Sequence, residues 1–116
     1  MARLARVVLP EYPHHITQRG IRRQDVFFEQ ADYEYYLELL REWCIHEGIE
    51  IWAYCLMTNH VHLIVMPKKK SNLGKAIREV HRRYTRMINL REHWKGYLWQ
   101  GRFASYPNQR GQTRLI

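Results

Sequence analysis

Two imidazoles stand two residues apart in the stretch Met57-Thr58-Asn59-His60-Val61-His62-Leu63-Ile64-Val65. The apolar, β-branched run through Val61, Leu63, Ile64 and Val65 predicts a strand. Side chains alternate across a strand, so His60 and His62 leave one face while Val61 and Leu63 leave the other. Histidines held in this way can both reach one metal ion while their neighbours are buried. Taken alone the pattern is weak, because an ordinary half-exposed strand carries such pairs by chance. Cys44 and Cys55 are the only cysteines and form no Cys-x-x-Cys pair, so neither a disulfide framework nor a thiolate zinc site is indicated.

The elements that must position this strand are legible on either side of it. Residues 13–20, with His14, His15, Ile16, Thr17, Gln18 and Arg19, read as a short first strand closed by Gly20. From 31 to 47 the period becomes helical, with Tyr33, Tyr36, Leu37, Leu40 and Cys44 on one face. Glu34, Glu38 and Glu42 line the outer face, Asp32 suits the helix start, and Gly48 follows the end. Residues 49–56 form a second strand, joined to the His-Val-His strand by a short connection that lacks Asn-Gly chemistry. Pro67 stops that strand, and Ser71 or Asn72 caps a second helix whose apolar stripe is Leu73, Ala76, Ile77, Val80, Tyr84, Met87 and Ile88. A last strand is expected over 102–106. The order strand, helix, strand, strand, helix, strand gives an α+β, ferredoxin-like antiparallel sheet (β-α-β-β-α-β) with two helices packed on it. The histidine pair then lies on the face or edge that the helices do not fill. One domain over 1–106 and an irregular tail over 107–116 are expected.

Charge narrows the partner. The net charge is +8 and the pI near 9.8, and the distribution is uneven. Residues 1–28 carry +3, residues 29–50 carry −6, and residues 68–110 carry +10. Such segregation predicts a directed basic surface for a polyanion. Lys75, Arg78, Arg82, Arg83 and Arg86 follow one side of the second helix with a single nearby acid, Glu79, which fits contact with a phosphate backbone. Arg19, Arg22 and Arg23 cluster in the loop after the first strand, where they grip phosphate or are plain surface charge. Trp94, Tyr97 and Trp99 stack on bases or pack in the core. No apolar run approaches the roughly 20 residues that span a bilayer. The three-residue apolar run near the start, Val7-Val8-Leu9, is too short for a secretory signal, so a cytoplasmic protein with no membrane partner is expected.

Four separated stretches, in order, resemble the motifs of one family. They are His15-Ile16-Thr17-Gln18-Arg19-Gly20, Met57-Thr58-Asn59-His60-Val61-His62-Leu63, Arg83-Tyr84 with Ile88-Asn89, and Leu98-Trp99-Gln100-Gly101-Arg102-Phe103. Over residues 13–106 the chain resembles HUH single-tyrosine transposases, specifically those associated with REP palindromes. The resemblance implies cleavage and rejoining of single-stranded DNA at hairpin-flanked sites, with Arg102 added to the DNA-binding arginines. It also implies Mg²⁺ or Mn²⁺ held by His60 and His62 to polarise the scissile phosphate, and a tyrosine that forms a 5′-phosphotyrosine bond. The choice of ion comes from the resemblance alone, because imidazoles suit zinc and carboxylates suit magnesium.

In that family the nucleophilic tyrosine lies on a later helix, in a Tyr-x-x-x-Asn-Pro context that also supplies a further metal ligand. No tyrosine of this chain matches it, since Tyr84 falls in the apolar stripe and Tyr97 and Tyr106 lie in or near the Trp-Gln-Gly-Arg-Phe stretch. The chain ends at Ile116 before such a helix, so half an active site is expected, a metal-binding and DNA-binding scaffold without its attacking group. A homodimer is left open. Two other readings compete, a single-stranded nucleic-acid-binding module without chemistry and a hydrolase that uses metal-bound water.

Overall fold

A computed structural model describes residues 8–68 and 70–107. Strand β1 (His14–Arg19) keeps a strict alternation, with His14, Ile16 and Gln18 buried and His15, Thr17 and Arg19 on the opposite face. Helix α1 (Gln30–Glu47) opens on a capping box in which Glu29 and Asp32 satisfy each other's backbone N–H groups. It closes at Gly48, whose φ of 71° is the left-handed conformation that lets a helix end in one residue. Tyr36, Leu39, Leu40 and Cys44 are buried, and Glu34, Glu38 and Glu42 are exposed as their spacing requires.

Strands β2 (Ile49–Met57) and β3 (His60–Pro67) form a tight hairpin with Thr58 and Asn59 at the turn. The primed turns that match strand twist need a positive φ, which neither turn residue has. The turn is held from outside instead. The N–H groups of Val26 and Phe27 donate to the Thr58 carbonyl, and the Gly20 N–H donates to that of Asn59. Gly20 is required for this packing, because a Cβ there would lie 2.2 Å from the Gln24 carbonyl oxygen. Helix α2 (Leu73–Glu92) starts where the Asn72 side chain accepts the Lys75 N–H at 3.0 Å. Strand β4 (Ala104–Pro107) begins two residues later than expected, because Gly101 (φ 59°) turns the chain just before it. The irregular tail expected from 107 lies outside the described residues, except Pro107, which ends β4.

The sheet order is β2-β3-β1-β4 with every pairing antiparallel. Ile16, Val61, Leu63 and Val65 from the sheet share one core with Tyr36, Leu40 and Cys44 of α1 and Ile77, Val80, Tyr84 and Ile88 of α2. Both helices therefore cover the same face. The architecture is the α+β, ferredoxin-like sandwich that the element order implied.

One buried group makes the fold acid-sensitive. His81 of α2 is 6% exposed, shares a 2.8 Å hydrogen bond between its Nε2 and the Tyr36 hydroxyl, and stacks on Trp99 with ring centroids 4.7 Å apart. Burial pushes its pKa down to about 3. The unfolded chain takes up this proton near the ordinary histidine value of about 6.5, whereas the folded chain resists it. The stability is thus fully present above that value and is lost as pH falls toward 3. His81→Gln keeps an acceptor for Tyr36 without titrating, so its urea midpoint is expected to fall less steeply than that of the wild type between these limits.

Candidate metal and nucleic-acid site

The uncovered face of the sheet presents His15, Thr17 and Arg19 from β1 and His60 and His62 from β3. The register sets Arg19 opposite His60 and Thr17 opposite His62. The rings of His60 and His62 are 5.1 Å apart between centroids and nearly perpendicular.

Each ring has its Nδ1 engaged. His60 Nδ1 lies 2.8 Å from Asn59 Oδ1. The Asn59 amide nitrogen donates to the Arg23 carbonyl at 3.1 Å, which fixes the amide and leaves its oxygen facing His60. That oxygen can only accept, so the His60 proton sits on Nδ1 and Nε2 is free as a ligand. His62 Nδ1 lies 3.1 Å from His15 Nε2. Partial burial, followed by the neighbouring His15 and His60, holds His62 below the ordinary histidine pKa, which favours the neutral ring that metal binding needs.

A cleft of about 570 Å³ surrounds the pair, lined by Arg19, Arg23, Asn59, Gln100 and Arg102 among others, with no carboxylate. Among the described residues, no group of three or more His, Cys, Asp or Glu side chains is placed to hold a metal. The cleft lining itself offers two imidazoles, His60 and His62. That set suits an ion with open positions for phosphate or water rather than a closed structural site, in which protein fills all four.

Backbone strain helps to place the arginines. Arg22 and Arg23 have φ of 55° and 60°, the left-handed region that non-glycine residues rarely adopt. The conformation is over-determined, because the Arg23 N–H donates to Gly20 and its carbonyl accepts from Asn59. Arg23 lines the cleft, whereas Arg22 is exposed and is not part of its lining. Arg102 arrives from far along the chain. Gln18 is buried and its amide donates to the Gly101 carbonyl at 3.1 Å while its oxygen accepts the Arg19 N–H. The Gln100 N–H donates to the Arg19 carbonyl, and that of Ile21 to Leu98. Residues 98–102 are thereby stapled across the end of β1.

Helix α2 packs on the opposite face from the histidine pair, as the element order implied. The connection runs through Arg102. A second cleft of about 500 Å³ shares Gln18 and Arg102 with the first and adds Arg78, Arg82, Tyr97, Trp99 and Phe103. A third depression shares Arg82 and adds Arg83, Arg86 and Tyr35. Overlapping linings thus make a basic track from the histidine face onto α2. Lys75 lies outside all three and sits 3.7 Å from Glu47. Arg82 and Arg83 share Glu79, at 2.8 and 3.6 Å. Of the three aromatics with two readings, Tyr97 (85% exposed) and Trp94 (42%) are on the surface and Trp99 (6%) is core.

Sequence reasoning missed His15 and Asn59 as neighbours of the pair. Alternation puts His15 on the Arg19 face, but nothing in one sequence says that β1 pairs with β3 in this register.

The family described as "Transposase IS200 like" matches residues 9–115. A REP-associated tyrosine transposase bound to a REP hairpin superposes with a TM-score of 0.75 at 18% identity, covering 95% of this chain and 64% of that one. The chain thus spans a little under two thirds of that protein's length. A Deinococcus radiodurans R1 protein provisionally named a transposase superposes with a TM-score of 0.68 at 16% identity, covering 94% of this chain and 88% of its own. Comparison with curated proteins gave no match. Identities this low carry the fold, whereas the family match runs through nearly the whole sequence. The chain belongs to the IS200-like transposase family.

Proposed function

We propose that the chain binds single-stranded hairpin DNA and serves its cleavage and strand transfer, with Mg²⁺ or Mn²⁺ held by His60 and His62. One observation carries this reading. His60 and His62 share a cleft with Arg19, Arg23 and Arg102 and with no acidic side chain. The hairpin bound to the REP-associated structural relative supports the choice of DNA. A bound divalent cation supplies Lewis acidity that polarises a phosphodiester and offsets the charge growing on it during attack.

The chain's own residues do the rest. Arg19, Arg23 and Arg102 grip the flanking phosphates, and the track through Arg78 and Arg82 carries the strand onto α2. The rigid β1–β3 pairing keeps the two ligands on one face. No tyrosine lines the cleft among the described residues. The hydroxyls of Tyr36 and Tyr84 are spent in the core on His81 and the Val26 carbonyl. The residues lining the cleft therefore act as cation and phosphate holders. The pairing of His60 and His62 in one cleft favours this reading over binding without chemistry.

The test is salt dependence. Affinity for a labelled hairpin with a single-stranded foot is expected to fall linearly in log salt. Arg102→Ala should reduce the slope by about 0.7, the value of one single-strand phosphate contact. Lys75→Ala, on a residue outside the track, should leave the slope nearly unchanged. Equal slopes for wild type and Arg102→Ala contradict the proposed path.

A further inference from the structure

We infer that His15 is a positioning residue of the cation site, accepting the Nδ1–H of His62 so that the unprotonated Nε2 of His62 is free for the ion shared with His60. The inference rests on the cation reading above and adds a residue that the His-x-His pattern does not contain.

The argument is a count of protons. A neutral imidazole has one N–H, so the 3.1 Å contact between His15 Nε2 and His62 Nδ1 needs one ring to donate and the other to accept. If His15 donated, the His62 proton would lie on Nε2 and that atom could not bind a cation. If His62 donates, its Nε2 lone pair is free and His15 keeps its own proton on Nδ1. The other half of the site is already set in the corresponding sense, because Asn59 Oδ1 can only accept from His60 Nδ1. With His62 donating to His15, both ligands offer Nε2. The ring pair has the geometry for an edge hydrogen bond, with centroids 5.3 Å apart and planes inclined by 32°. The register maintains it, because His15 pairs with Ile64 and His62 with Thr17, which leaves the two histidines diagonal neighbours on one face. An outer partner of this kind fixes both the tautomer and the orientation of a ligand.

The test uses the full chain, long-range ¹H–¹⁵N spectra of its histidines without metal, and Mn²⁺ titration followed by electron paramagnetic resonance. The wild type is expected to show His62 protonated on Nδ1. His15→Leu removes the acceptor, so the His62 proton should shift toward Nε2 and Mn²⁺ affinity should fall about 10-fold or more. His15→Gln offers a carbonyl oxygen at the same place and should recover most of that loss, which a role in packing alone would not produce. His62 protonated on Nε2 in a wild type that still binds Mn²⁺ overturns the inference and spares the cation reading. Unchanged Mn²⁺ affinity in His15→Leu does the same. A wild type that binds no Mn²⁺ removes both. If His15→Leu fails to fold, the wild-type spectrum and His15→Gln still decide the matter.

Discussion

Alanine at both His60 and His62 is expected to make hairpin binding identical in Mn²⁺ and in EDTA. The two imidazoles are the histidine side chains that line the cleft, and its lining holds no cysteine or carboxylate. Removing them leaves the cleft lining without an imidazole. Each single variant should weaken Mn²⁺ by more than the roughly 10–100-fold that loss of an outer partner costs. A salt-sensitive background should survive, because Arg19, Arg23 and Arg102 remain in the cleft. The fold should survive as well, since both histidines are half-exposed and lie outside the core. Fluorescence anisotropy of a labelled hairpin, with either Mn²⁺ or EDTA, measures the effect. Cation dependence that persists in the double variant places the ion elsewhere.

The second large effect concerns stability. Asp32 has a side chain only 1% exposed and is bridged by Arg91, from the last turn of α2, through both guanidinium nitrogens Nη1 and Nη2. Burial pushes the carboxyl pKa up. The hydrogen bonds from Arg91 and from the Phe28 and Glu29 N–H groups outweigh burial and hold it below the ordinary value. A folded-state value below the unfolded one means stability that is present above the unfolded pKa and is lost as pH falls through the folded one. Arg91→Met removes the cation and leaves a buried carboxylate, a change that costs about 3 kcal/mol in comparable sites. With that partner gone, less opposes the effect of burial and the carboxyl pKa rises, so acid unfolding of the variant should also begin at higher pH. Urea unfolding at neutral and mildly acidic pH checks both parts, and a variant with wild-type stability at neutral pH rules out the ion pair as a tie between the helices.

Much of this architecture is written in local patterns. The alternation in His14 to Arg19, the helical spacing of Tyr36, Leu40 and Cys44, and the stop at Pro67 each act within a few residues. The histidine pair was legible for the same reason, because strand alternation alone sets His60 and His62 on one face. What lay beyond the sequence depends on long-range pairing. The staple of Gln18 to Gly101 brings Arg102 beside Arg19, and no spacing rule connects residues 83 positions apart. The contact of His15 with His62 requires the β1–β3 register, and the role of Asp32 requires Arg91 on another helix. The basic stripe of α2 was visible as a pattern, but its placement across the sheet from the histidines follows from which face each helix covers. Trp99 and Tyr97 are two residues apart in one aromatic stretch, yet one stacks on buried His81 and the other lies in solvent.

Anomalous scattering from crystals soaked in Mn²⁺ tests the central claim most directly. A single strong peak is expected on the open face of the sheet, within coordinating distance of Nε2 of both His60 and His62 and beside Arg19 and Arg102. A map with no peak there, or with Mn²⁺ bound at acidic side chains elsewhere while both imidazoles stay unligated, contradicts the account.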